Sequence, residues 1–282
     1  MSPVALITGT SSGIGLASAV DAARHGFTTV ATMRDLSKDG ALRAAAEAAG
    51  VELDIRQLDV VDEASVTACL DGVVADHGGL DVLVNNAGRG FVGTIEQVSM
   101  DEMRDVMEVN FFGVVAVTKA ALPHLRASRG RVVTVTSVGG VVGQPFNEAY
   151  CAAKFAVEGF MESLAPVAAT VGVQVSVIEP GPVATEFVNN VGVDVGKIFA
   201  EAGEYEPAMQ AYMRHIMAEF ANPDAAQTAH DVAEVVLTAM VTDSPAFRHQ
   251  TSHWSRTFTG YKLSDHDGSA VVGMTTDWLR TD

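Results

Sequence analysis

Short apolar runs rich in β-branched residues alternate along the chain with longer stretches whose apolar positions recur at helical spacing. "VALI" (4–7), "TTVAT" (28–32), "LDIRQL" (53–58), "DVLV" (81–84), "RVVTVT" (131–136) and "VQVSVIE" (173–179) have the length and composition of strands. Helices are expected between them over 14–25, 40–49, 63–77, 100–127 and 150–170, with a last one over 231–241. A short strand at "FRHQT" (247–251) closes the series. Such alternation implies parallel strands joined by right-handed crossovers, hence an α/β chain with a Rossmann-type, doubly wound parallel sheet of about seven strands. In such sheets ligands bind beyond the carboxyl ends of the strands, so the residues just after 7, 32, 58, 84, 136 and 179 are the first to inspect. The region 186–230 breaks the pattern, being rich in Gly, Asn, acidic residues and Met. The chain therefore reads as a single domain over 1–282, with an inserted flap at about 186–230 and a C-terminal extension at about 246–282.

Composition narrows the function. The chain has 282 residues, 48% of them hydrophobic, enough to bury a large core. No stretch reaches ~18 uninterrupted apolar residues, so no integral membrane span is expected. The start, "MSPVALITG", has no basic region ahead of its apolar run, which points away from a signal peptide and toward the cytoplasm. Cys69 and Cys151 are too few for a disulfide framework. A formal charge of −17 argues against nucleic acid as a partner but leaves room for a phosphorylated cofactor held by local cations and helix N-termini. His249, His253 and His266 lack metal-ligand spacing, and no metal is expected.

Two short segments carry the chemistry. After the first strand comes "TGTSSGIG" (8–15), where Gly9, Gly13 and Gly15 let the chain turn tightly and bring its backbone against a pyrophosphate. Ser11, Ser12 and Ile14 complete that loop at the start of the first helix. The second segment is "EAYCAAKFAVEGF" (148–160), with Tyr150 and Lys154 four residues apart and so on one helix face. A free phenol titrates near about 10, and a lysine ammonium beside it favours phenolate. Tyr150 is therefore a candidate proton donor and acceptor, set against the plainer alternative of a Tyr and a Lys at the edge of a buried stripe.

TGxxxGIG, "NNAG" (85–88), Ser137, Tyr150 and Lys154 together resemble the short-chain dehydrogenase/reductase family, over about residues 3–245. The resemblance implies an NAD(P)-dependent oxidoreductase acting on CH–OH groups. It implies a catalytic set of Ser137, Tyr150, Lys154 and Asn110, the last in "EVNFFG", where it kinks its helix and carries a water linking Lys154 to solvent. Asp59 and Val60 are implied as adenine contacts, and Asn86, Ala87 and Gly88 as lining the adenine-ribose side. Val183 and Thr185 of "PGPVATEF" are implied to hold the nicotinamide carboxamide, with Pro180 and Gly181 shaping the turn. Helices 100–127 and 150–170 are implied to build a homodimer or homotetramer.

The second strand ends on Met33 followed by Arg34, where NAD sites place an acid. An Arg there suits the 2′-phosphate of NADP, with Ser12 as a further donor, so NADP(H) is the expected cofactor. Asp35 as a ribose ligand leaves NAD possible.

A narrower likeness is to the branch of the family holding 17β-hydroxysteroid dehydrogenase type 1 and photoreceptor retinol dehydrogenase, carried by "ATMRDL", "TSVGGVVGQPFNEAYCAAKFAVEGFMESLA" and the chain after 205. It implies a large apolar alcohol or carbonyl as substrate, bound by Ser137 and Tyr150, with His215 of "YMRHIMAEF" reaching its far polar end. A surface position for His215 is the alternative. Phe187, Val188, Met209, Tyr212 and Met213 suit a lid over an apolar ligand or, equally, a contact between subunits. Rival functions are a 3-oxoacyl-thioester reductase and a non-catalytic NADP-binding sensor or scaffold; an intact Tyr150 and Lys154 count against the sensor.

Overall fold

The computed structural model describes residues 2–184, 195–264, 274, 277 and 278, apart from the side chains of Val195 and Lys197. Its strands are β1 (Val4–Thr8), β2 (Thr28–Met33), β3 (Asp54–Gln57), β4 (Val82–Asn85), β5 (Arg131–Val135), β6 (Gln174–Glu179), the two-residue β7 (Val183–Ala184) and β8 (Gln227–Thr228), and β9 (Arg248–Gln250). Seven of them form one sheet in the order β3-β2-β1-β4-β5-β6-β9, every neighbouring pair parallel. β7 pairs with β8 apart from it. The "FRHQT" strand is β9, which adds to the β6 edge.

The helices are α1 (Gly13–Arg24), α2 (Gly40–Ala49), α3 (Glu63–His77), α4 (Met100–Met107), α5 (Gly113–Ser128), α6 (Glu148–Ala169), α7 (Val195–Glu201), α8 (Glu206–Ala221), α9 (Ala229–Val241) and α10 (His253–Leu263). They cover both faces of the sheet. Successive strand residues point to opposite faces, so Leu6, Leu83 and Val132 meet Leu70, Val117 and Met161 of α3, α5 and α6. Ala5, Ile7 and Val133 meet Ala19, Leu42 and Val236 of α1, α2 and α9 on the other side. Burial on both faces is why these strands read as continuous apolar runs. Each fully buried Leu or Ile contributes about 1.5–3 kcal/mol.

The segment expected as one helix over 100–127 is two helices joined by a π-helical turn, Glu108–Phe112. By length and composition Met100–Ser128 would suffice to cross a membrane, with a mean hydropathy of 1.3 over its most apolar window. The average is high although no uninterrupted apolar run reaches ~18 residues. Val114, Val117, Ala121 and Leu125 of this segment belong to the core.

The flap is more regular than its sequence suggests. α8 buries Met209 and Tyr212 against Phe146, Ile198 and Phe199. The Asn147 Nδ2 just ahead of α6 donates to the Tyr212 hydroxyl at 2.8 Å, so the flap helix is pinned to the start of the helix that carries Tyr150. Phe187 and Val188 lie outside the described residues.

Candidate active site

The loops at the carboxyl ends of β1, β4, β5 and β6 come together at one edge of the sheet. Gly9, at φ +72°, is packed so closely that a Cβ there would lie 2.7 Å from the Ala87 Cα. A Cβ on Gly15 would lie 2.3 Å from both Asn86 Nδ2 and the Gly9 carbonyl oxygen. Asn86 explains the crowding: its Nδ2 donates to the Thr8 and Gly9 carbonyls at 2.9 and 3.0 Å. The Thr8 hydroxyl accepts from the Asn86 and Ala87 N–H groups. Asn86 and Ala87 thus brace the glycine loop from the β4 side.

α1 starts at Gly13, with Ser12 as its N-cap. No side chain caps its first turn and no acid lies in that turn. The N–H groups and the positive end of the helix dipole are therefore offered outward, an arrangement that fits a dinucleotide pyrophosphate. Ser11 is half-buried in this loop, and Ile14 packs down onto the core. Arg34 is exposed at the end of β2. Asp35 accepts from the Ser37 hydroxyl at 2.7 Å and its N–H at 3.0 Å, bonds that hold its carboxyl below the usual range. The acid that would serve a ribose is engaged in its own turn, while the guanidinium beside it fits a 2′-phosphate. Asp59 accepts from the Val61 N–H, and Val60 is buried against Gly113.

Ser137 leaves β5 in extended backbone, its Oγ accepting from the Gly139 N–H at 3.0 Å and hydrogen-bonding Tyr150. A Cβ on Gly139 would sit 3.3 Å from both Ser137 Oγ and Tyr150 Cε1, so that glycine lets the two polar groups meet. Lys154 is 5% exposed; its Nζ donates to the Val135 carbonyl at 3.1 Å and lies 5.8 Å from the Tyr150 ring centroid. Asn110 is wholly buried in the π-turn. Its Oδ1 accepts from the Arg89 N–H, and its Nδ2 donates to the carbonyls of Arg89 and Val106. The side-chain amide thus takes up the Val106 carbonyl where the α-helical ladder is interrupted. A Cβ on Gly88 would come within 2.8 Å of Asn110 Oδ1 and 3.8 Å of Lys154 Nζ, which places these residues around one small space.

The electrostatics correct one expectation. Sequence spacing had Lys154 lowering the Tyr150 phenol. Instead, desolvation pushes the half-buried Tyr150 up to about 12, with the Ser137 hydrogen bond drawing it down. Lys154 is itself pushed down to about 8 by burial. Desolvation dominates both groups because the protein interior penalises both charged forms, and the ammonium is turned to Val135.

Pro180 accepts from the Val138 N–H at 3.0 Å, joining the β6 exit to the Ser137 loop. Gly181 packs under Trp254 and Ser255, and Val183 is buried in β7. Thr185 lies outside the described residues. His215, expected at the far polar end of a substrate or on the surface, is half-buried on α8. It stacks on Trp278 at 4.5 Å, and partial burial holds its imidazole below the usual range.

Trp278 is a residue the sequence reading did not single out. It packs against Tyr212 and Phe258 and touches both the cluster under Ser137 (Val138, Val141, Val142) and the flap cluster. Phe146 joins that wall at φ +59°, a conformation a bulky side chain adopts only where packing enforces it. One apolar, aromatic wall therefore runs from the Ser137 loop to the flap.

The family model for short chain dehydrogenase matches residues 3–196. Retinol dehydrogenase 8 of Bos taurus is 41% identical over 275 residues, covering 95% of this chain and 87% of that protein. 17-beta-hydroxysteroid dehydrogenase type 1 of Homo sapiens is 40% identical over 277 residues, covering 95% of this chain and 83% of that protein. Among solved structures, a variant of actinorhodin polyketide ketoreductase with NADPH superposes with a TM-score of 0.76 at 31% identity, covering 88% of this chain and 95% of that one.

Proposed function

The chain belongs to the short-chain dehydrogenase family, and from that premise we propose that it interconverts an alcohol and a ketone or aldehyde on a large apolar, steroid- or retinoid-like substrate, with NADP(H). The observation that carries this reading is the Ser137–Tyr150 hydrogen bond with Lys154 one turn below, set beside the wall of Phe146, Tyr212, Phe258 and Trp278. The names of the two relatives, a retinol and a hydroxysteroid dehydrogenase, point to the same substrate class.

When bound, a nicotinamide cofactor would supply or accept the hydride. Ser137 Oγ holds the substrate oxygen by a hydrogen bond and stabilises charge that grows there. Tyr150 Oη gives its proton to that oxygen in reduction and takes it back in oxidation. A phenol raised to about 12 holds its proton at neutral pH and is suited to the donor role. Lys154 supplies the positive charge that meets the phenolate left behind, and Asn110 anchors the turn beside it. Gly9, Gly13, Gly15 and the α1 N-terminus would hold the pyrophosphate, and Arg34 the 2′-phosphate. The NADPH in the ketoreductase structure accords with that preference.

Two free, buried cysteines fit a reducing cytoplasm. Phe112 (49% exposed) and Phe155 (37%) on the α4–α5 and α6 segments fit a homodimer or homotetramer.

A second reading, reduction of a 3-oxoacyl thioester, is favoured by the likeness to a polyketide ketoreductase. The charge of −17 counts against docking an acidic acyl carrier. The deciding experiment follows NADPH and NADH oxidation with all-trans-retinal, estrone, androstenedione, a medium-chain ketone and an acetoacetyl thioester. Turnover of retinal or a steroid with NADPH preferred is expected. Turnover of the thioester alone would replace the substrate class, and an NADH preference would overturn the role given to Arg34.

A further inference from the structure

Tyr150, Lys154 and Glu158 are spaced four apart on α6 and therefore share one face. Glu158 is only 4% exposed. Arg248 of β9 bonds it through Nη1, and the same nitrogen donates to Glu179 Oε1 at 2.8 Å. Arg248 Nη2 reaches the exposed Glu162 at 3.2 Å, and Gln250 donates to Glu179 Oε2 at 2.7 Å. Glu179, wholly buried, ends β6 and leads directly into Pro180 and Gly181. Gly140, three residues after Ser137, closes over the group: a Cβ there would meet Glu158 Cγ at 3.0 Å and the Lys154 carbonyl at 3.1 Å. The Thr136 hydroxyl faces the carboxylate too, but its proton goes to the Ile178 carbonyl. Among the described residues, Glu158 Oε1 is thus left buried without a hydrogen-bond donor.

Charge bookkeeping gives this cluster its meaning. Two buried carboxylates, Glu158 and Glu179, face one guanidinium. Burial pushes the Glu158 carboxyl up to about 7, opposed by Arg248, and Lys154, 5% exposed and one turn away on the same helix face, is a second cation beside it. Among the described residues the other polar groups around the Lys154 ammonium are the Val135 carbonyl, the Asn110 amide and the Tyr150 phenol. The charged group acting on Lys154 is Glu158, which opposes the downward pull of burial.

We propose that Glu158 is a positioning residue for Lys154: its carboxylate, pinned by Arg248, holds the lysine as an ammonium beneath Tyr150 and couples the catalytic helix to the strand leading into the Pro180–Gly181 turn. The proposal rests on the reading of Tyr150 and Lys154 as the proton-handling pair. A buried lysine without that counter-charge would spend part of the neutral range uncharged, and a neutral amine would leave the phenolate unstabilised.

The test reads Lys154 directly in the cofactor-free protein. The chain has five lysines, so side-chain NMR of 15N-lysine-labelled protein, assigned with a Lys154→Met variant, follows the Lys154 midpoint from pH 6 to 10. Glu158→Gln should lower it by more than the error of the titration, because the charge that opposes burial is lost. Glu158→Asp, which draws the carboxylate back by one methylene, should give an intermediate fall. The pH profile of retinal reduction with NADPH should lose its alkaline side in the same order. An unchanged Lys154 midpoint in folded Glu158→Gln, or equal falls in both variants, overturns the proposal. Where Glu158→Gln does not fold by circular dichroism, Glu158→Asp decides, and a wild-type midpoint in it overturns the proposal. The functional reading stands or falls separately, on loss of turnover in Tyr150→Phe.

Discussion

Replacing Gly9 and Gly26 with alanine, one at a time, separates backbone strain from the closeness of the cofactor loop. Both glycines have positive φ, +72° and +87°, but a Cβ at Gly26 meets nothing within 4 Å, whereas at Gly9 it lies 2.7 Å from the Ala87 Cα and 3.0 Å from the Ala87 N. The left-handed conformation costs an alanine about 1–2 kcal/mol, offset by about 0.4–1 kcal/mol from a less flexible unfolded chain. Gly26→Ala should therefore lose about 1 kcal/mol, or about 2–4 °C in Tm, with NADPH affinity unchanged. Gly9→Ala carries the same strain and adds a clash with main-chain atoms that no rotamer change relieves. Relief requires moving the β1 exit away from Asn86 and Ala87, breaking the 2.9 and 3.0 Å bonds that shape the loop. NADPH should then bind at least about tenfold more weakly, equivalent to about 1.4 kcal/mol. Thermal melts and a fluorescence titration with NADPH measure both quantities. If Gly9→Ala melts and binds like Gly26→Ala, the close approach of β1 and β4 does not shape the cofactor site.

Three further outcomes are expected. Tyr150→Phe should reduce turnover of the active substrate by about 10²–10⁴-fold while NADPH binding is kept, read by steady-state rates beside the same titration; retained turnover would remove Tyr150 from proton transfer. Arg34→Ala should cut the preference for NADPH over NADH by about tenfold or more, the scale of a charge-assisted bond to phosphate, measured as the ratio of kcat/KM values. His215 bears on pH. Its folded value is held below the usual 6.5 by burial against Trp278, so the unfolded chain binds more protons between those two values. Its contribution to stability is thus intact above 6.5 and declines as pH falls toward the folded value. Trp278→Ala should flatten that decline in a series of pH-dependent melts and raise KM for retinal. An undiminished slope would show that Trp278 does not bury His215.

Local order along the chain was enough for the frame. Alternation of β-branched runs with helical periods located every strand of the parallel sheet, down to the three-residue β9. Gly9, Asn86, Ser137 and Pro180 could be placed at strand ends because a parallel α/β sheet puts its loops there whatever the side chains do. Tyr150 and Lys154 could be placed on one face because helical spacing is local geometry. Their charge states were another matter. A phenol raised to about 12 and an amine lowered to about 8 depend on how much water the surrounding protein removes, and that protein comes from β5, the π-turn and the β4 exit. The same holds for Arg248, which meets Glu158 and Glu179 across 90 and 69 residues of sequence, and for the bond between Asn147 and Tyr212 across 65. Periodicity reports which face of an element is apolar, but not which distant charge or ring comes to rest against it. Desolvation and long-range pairing exist only once the chain has closed on itself, and in this protein they set the chemistry of a site whose parts the sequence had already put in order.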